Sequence, residues 1–125
     1  MTSSRPEPAP IGPYSPVVRA GDLLFCSGQL GLRDGALVVG GVQDELVQAF
    51  ANLESVLASM GAVLSDVVKT TVFLVDIDDF ELVNETYLSC FGDHRPARSA
   101  LAVDKLPRGA SVELEAIAFS PLESL

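Results

Sequence analysis

The sequence predicts an α+β fold, one layer of two helices on one sheet, and three observations predict it. A stripe of apolar residues at helical spacing runs through residues 42–60. Short apolar or β-branched runs flank it, separated by Gly and Pro turns. A second, shorter helical stretch divides the run at 67–75 from the last two runs. The resulting order is β-β-β-α-β-α-β-β.

Each element has its own signal. Val17-Val18-Arg19, Ala20-Gly21-Asp22 and Leu23 to Ser27 read as strand, turn and strand. Arg33-Asp34-Gly35 is a further turn, leading into a short strand from Ala36 to Val39. Val42, Leu46, Ala49, Phe50, Leu53, Val56, Leu57 and Met60 then form one helical stripe. Gln43, Asp44, Gln48, Asn52 and Ser59 are expected on the opposite, solvated side, with Gly61 as the C-terminal stop. Val67 to Val75 is rich in β-branched residues and reads as a strand central in the sheet. Asp78 and Glu81 have the spacing of a capping box for the second helix, whose inner face carries Phe80, Val83, Tyr87 and Phe91 before Gly92. Strands at Ser99 to Val103 and Val112 to Phe119 complete the order. Along the last one, Val112, Leu114, Ala116 and Ala118 share one face, and Glu113, Glu115, Ile117 and Phe119 the other. That second face is too charged for a core and too apolar for open solvent, so a subunit interface with a polar pocket at one end is expected.

Length and charge narrow the function. A chain of 125 residues is expected to form one domain, residues 10–125, behind a flexible Ser/Pro-rich leader at 1–9. Its hydrophobic content of 48% against 20% charged residues is globular and apolar for its size. The net charge of −9 repels nucleic-acid phosphates and anionic lipid, so neither partner is expected. No run approaches the ~18 apolar residues of a membrane span. Cys26 and Cys90 show no metal or redox spacing and read as small buried hydrophobes in a reducing, cytoplasmic compartment. His94 has no Ser or Cys nucleophile motif beside it, and no P-loop or dinucleotide glycine pattern occurs. Asp76, Asp78 and Asp79 lack the Gly and Glu that an EF-hand loop needs farther on. No metal or other cofactor is expected.

What remains is a set of polar residues at strand ends and turns. Arg98 stands where a Pro-containing turn enters an apolar run, and an arginine there needs a carboxylate partner or a wet pocket. It is also the side chain best shaped to grip a carboxylate with paired hydrogen bonds. Tyr14 follows the rigid Gly12-Pro13, and Ser27-Gly28-Gln29 closes a strand, with Gly28 permitting close approach. Asn84 borders the inner face of the second helix, and Glu113 is a carboxylate inside an apolar strand. Each has an ordinary structural role open to it, Glu113 as the salt-bridge partner of Arg98 among them.

Taken together these segments resemble one family. Pro10-Ile11-Gly12-Pro13-Tyr14-Ser15-Pro16, Ser27-Gly28-Gln29, Lys69 to Leu74, Asp79-Phe80 with Val83-Asn84 and Tyr87, Pro96-Ala97-Arg98-Ser99 and Glu113 to Ala118 match in order and spacing the Rid family, the reactive-intermediate (enamine/imine) deaminases of YjgF type. The resemblance runs from about Ala9 to Phe119. It implies a chorismate-mutase-like fold, with two helices packed on one face of a mixed sheet, and a homotrimer with sites at subunit interfaces. By the same resemblance Arg98 grips the substrate carboxylate, and Glu113 positions the attacking water. Tyr14, Ser27, Gly28 and Asn84 complete the pocket. The implied activity is cofactor-free hydrolysis of 2-imino acids to 2-oxo acids and ammonia. Two departures stand out: Ala100 occupies a position where many deaminase members carry cysteine, and the segment from Phe91 to Pro96 is short. A non-catalytic trimer that binds small carboxylates, or acts as a chaperone, is the alternative; nuclease action or translation inhibition, proposed for some relatives, fits the charge worst.

Overall fold

The computed structural model describes residues 10–122, so the leader expected at 1–9 lies outside the described residues. The chain opens with a hairpin of β1 (Val17–Ala20) and β2 (Leu23–Leu30). The short β3 (Leu32–Arg33) and β4 (Ala36–Leu37) follow, then α1 (Val42–Ser59), β5 (Val67–Leu74), α2 (Phe80–Phe91), β6 (Ala97–Ala102) and β7 (Val112–Phe119). The main sheet has the order β1-β2-β7-β5-β6. Only β5 and β6 run parallel, joined by the α2 crossover, so the sheet is mixed.

Both helices lie on one face of that sheet. Leu46, Ala49, Phe50, Leu53, Val56 and Leu57 of α1 meet Leu24, Val67, Val72, Leu74, Leu114 and Ala118 of the sheet in the core. The stripe read from the sequence is therefore the packed face, and Val83, Tyr87 and Phe91 add the contribution of α2. Phe50, Tyr87 and Phe91 meet edge-on, with ring centroids 5.0–5.8 Å apart. Gly61 and Gly92 end the two helices at φ of 75° and 66°, a conformation that costs glycine nothing.

Five expectations need correction. The strand expected at Ala36 to Val39 shrinks to β4, which pairs with β3 outside the main sheet, because Asp34 and Gly35 both take positive φ in a tight hairpin turn. β5 is interior, but the middle strand is β7. Asn52 is not solvated: it is buried, and its amide donates to the carbonyls of Leu30 (3.0 Å) and Leu32 (2.9 Å), satisfying the backbone where β2 leaves the sheet. No capping box forms between Asp78 and Glu81. Asp76 instead accepts from the Asp78 N–H at 2.9 Å, capping a 3-10 turn that precedes α2. Cys26 is buried as expected, with its thiol pushed up to about 11 by burial, but Cys90 is only half-buried.

The last strand follows the alternation. Val112, Leu114, Ala116 and Ala118 are buried against the helices. Glu113, Glu115, Ile117 and Phe119 look away, onto a face with no helix over it among the described residues. The register aligns Val18, Phe25, Ile117 and Lys69 in one row across that face. Val18 is 54% exposed, Phe25 42% and Phe119 49%, so a mostly apolar surface stands open.

Candidate active site

Glu113 is positioned by a break in the ladder beside it. Between Cys26 and Gln29 the β2–β7 register shifts, so β2 carries one extra residue at Ser27-Gly28. The bulge places Gly28 against the Glu113 carboxylate, and a Cβ at Gly28 would overlap Glu113 Oε2. Glycine is thus required here by the acid, a closer neighbour than the ligand expected from the sequence. Burial, and after it the nearby Glu115 charge, raises the Glu113 pKa above its ordinary value. Its proton is therefore held more tightly than that of a surface glutamate.

Ser27 serves as an anchor. Its hydroxyl donates to the Ser15 carbonyl at 2.6 Å, and its N–H to the Pro16 carbonyl at 2.9 Å. These bonds fasten the segment that carries Tyr14, which turns tightly through a Tyr14 N–H to Gly12 carbonyl bond of 2.9 Å. Ile11, Tyr14, Ser27, Gly28, Pro107, Glu113 and Glu115 together line one open cleft of about 490 Å³. Four of the six site residues read from the sequence therefore meet in one place.

Arg98 and Asn84 meet elsewhere. Arg98 pairs in register with Thr70, whose side chain reaches α2, so both lie on the helix side of the sheet. Glu113 lies on the other side, which removes the salt bridge between them as an account of either residue. The partner of Arg98 is an amide: Nη1 donates to Asn84 Oδ1 at 2.8 Å. Its guanidinium carbon also sits 4.9 Å from the Tyr87 ring centre and 5.4 Å from that of Phe80. The remaining guanidinium donors have no partner among the described residues, which suits a visiting carboxylate. Ala100, two residues on, packs against the core edge beside Val72.

The sequence reading left out Tyr87 and Phe80 as neighbours of Arg98, having placed both simply in the core. Their spacing with Asn84, at i, i+4 and i+7, puts all three on one helix ridge, and that signal was available. Glu115 and Pro107 were not singled out as pocket residues either. Among the described residues no three His, Cys, Asp or Glu side chains converge as metal ligands. His94 is occupied with structure, its Nε2 lying 2.7 Å from the Val67 carbonyl where the turn enters β6.

The sequence pattern of the endoribonuclease L-PSP family matches residues 4–120. The chain belongs to this family, the Rid or YjgF type. This Rid chain is 48% identical over 120 residues to a mouse protein named 2-iminobutanoate/2-iminopropanoate deaminase, covering 94% of the chain and 89% of the relative. It is 42% identical to a RutC family protein of Pyrococcus horikoshii, covering 90% of each. Among solved structures, a Thermotoga maritima protein described as an endoribonuclease superimposes with a TM-score of 0.87 at 45% identity, covering 93% of each chain. Escherichia coli TdcF, crystallised with bound serine, superimposes with a TM-score of 0.85 at 35% identity, covering 90% of this chain and 92% of its own. The two helices on a mixed sheet agree with the chorismate-mutase-like fold.

Proposed function

We propose that this Rid chain is a hydrolytic deaminase that converts reactive 2-imino acids and their enamine tautomers to 2-oxo acids and ammonia, without a cofactor. The observation that carries the reading is the Glu113 carboxylate, wedged against Gly28 in the wall of an open cleft with its pKa raised. Its mammalian relatives bear names of that activity.

In the proposed reaction Arg98 binds the substrate carboxylate and so fixes C2. Glu113 accepts a proton from water as the water oxygen bonds to C2 of the protonated C=N group. It then returns that proton to the nitrogen of the tetrahedral intermediate. The C–N bond breaks as the hydroxyl oxygen forms the new C=O and gives up its proton to Glu113, and Glu113 passes that proton to the departing ammonia, which leaves as ammonium. Tyr14 closes the cleft beside the reacting carbon. No covalent nucleophile takes part, so Ala100 is tolerated where many relatives carry cysteine.

Glu113 and Arg98 lie on opposite faces of one sheet, and we infer that a site takes the cleft from one copy and the arginine from the next, in a homotrimer. The open apolar face around Phe25, Ile117 and Phe119 supports such an assembly. The serine held by TdcF favours a second reading, a trimer that binds small carboxylates without turnover. Imines made in situ by an amino-acid oxidase and trapped with semicarbazide separate the two. The wild type should lower the trapped yield, while Arg98→Ala and Glu113→Gln should not. Saturable binding of 2-oxobutanoate with no effect on trapping would establish the second reading instead.

A further inference from the structure

Arg98 emerges from an edge strand, and its long side chain has rotamer freedom that must be quenched before it can hold a ligand in one pose. One hydrogen bond to Asn84 is a pivot about which the guanidinium still swings. The plane of the group is set by what lies against its face, and there Tyr87 sits nearer than Phe80. Phe80 is half-buried at the start of α2, next to an exposed turn, whereas Tyr87 is buried between Phe50 and Phe91.

Tyr87 is also tied at its far end. Its hydroxyl lies 2.6 Å from Thr70 Oγ1, and Thr70 is fully buried. Thr70 is in turn the residue paired with Arg98 in the β5–β6 ladder. The contacts close a circuit: strand register puts Thr70 beside Arg98, Thr70 holds the Tyr87 hydroxyl, and the Tyr87 ring holds the Arg98 head. Desolvation by burial raises the phenol pKa above its ordinary value, so the hydroxyl keeps its proton at neutral pH. A purely packing role needs only the ring; the hydroxyl fixes its tilt.

We propose that Tyr87, held by Thr70, is a positioning residue that fixes the plane of the Arg98 guanidinium and so the pose of the substrate carboxylate. This rests on the carboxylate-binding role of Arg98 proposed above. Arg98 would grip the same carboxylate in ground and transition states, so a looser guanidinium raises KM first, and any smaller fall in kcat comes from a less firmly fixed C2.

The test compares Tyr87→Leu, the double variant Tyr87→Phe/Thr70→Val, and Val56→Ala, a buried α1 control away from Arg98. The double variant removes both hydroxyls together, so no buried polar group is stranded and stability stays near wild type. KM and kcat are measured on the oxidase-generated imine. The order of the Arg98 Nε–H bond is read by heteronuclear NOE on 15N-labelled protein. Tyr87→Leu should raise KM about tenfold, the loss of one cation–π contact, and loosen the Arg98 Nε–H. The double variant should show a smaller rise in KM at unchanged stability, and Val56→Ala should lose stability with KM unchanged. The proposal falls if Arg98 stays ordered in Tyr87→Leu, if the double variant keeps wild-type KM, or if Val56→Ala raises KM to the same extent. A wild type with no turnover would remove the deaminase reading alone, because the NOE still decides what Tyr87 does.

Discussion

A methyl group at Gly28 would occupy the space that the Glu113 carboxylate holds. The atoms it meets are the far end of a flexible side chain, and Gly28 lacks a positive φ. Gly28→Ala should therefore fold at least as stably as the wild type, since alanine narrows the unfolded ensemble by about 0.4–1 kcal/mol. It should nonetheless lose roughly a hundredfold in kcat/KM, as a displaced catalytic group does. Thermal melts beside the imine assay check both halves. Glu113 itself should trade stability against activity. Its raised pKa means that ionisation is less favourable in the folded chain than in the unfolded one. That penalty is absent below the unfolded carboxyl value, and stability falls as pH rises through the folded value. Glu113→Gln should accordingly melt higher than wild type at pH 7, with the difference vanishing near pH 4, about where a free glutamate titrates. The acid limb of kcat/KM should lie above the ordinary carboxylate range, and Glu115→Gln should move it down by removing the second cause of the shift.

At the scale of elements, Asn52 holds α1 to the chain leaving β2 with two carbonyl bonds, while Gln48 on the same helix donates to its amide oxygen. Asn52→Ala strands the buried Leu30 carbonyl and removes the bond to the part-buried Leu32 carbonyl, and should cost about 1–3 kcal/mol, read as a lower denaturation midpoint at unchanged slope. This residue shows where sequence reading loses its grip. Helical spacing put Asn52 opposite the apolar stripe, but a neighbouring strand end makes that side of α1 a second buried face. The two faces of β7 were legible because alternation has a period of two and one face is the core. The ends of both helices were legible in Gly61 and Gly92. The start of α2 was not, since Asp76 captures a 3-10 turn before the Asp78–Glu81 pair can act. The cluster of Tyr14, Ser27, Gly28 and Glu113 was legible residue by residue. The face of Arg98 was not, because it depends on the parallel register with β5, and no single strand displays its neighbour's register.

For the whole molecule, the uncovered face of the sheet governs what the chain can do alone. Ile117 stands in its row between Phe25 and Lys69. Burying one such side chain against another copy contributes roughly 1.5–3 kcal/mol, and closed symmetry repeats the gain at every interface. Ile117→Asp should break the proposed assembly and abolish turnover together, although Arg98 and Glu113 are untouched. Sedimentation velocity beside the imine assay checks this, and a monomer that still hydrolyses imines would defeat the shared-site reading. The same strand has a consequence in time. β7 lies between β2 and β5, yet it is the last of the seven described strands to leave a ribosome. Until it emerges, the β1–β2 hairpin and the β5–β6 pair have no strand to join them, and Leu24 waits for Ala118. Vectorial synthesis therefore cannot build this sheet stepwise. The nascent chain must be kept from aggregating until its centre arrives, and a stop codon between the end of β6 at Ala102 and Val112 leaves two unjoined halves instead of a smaller protein.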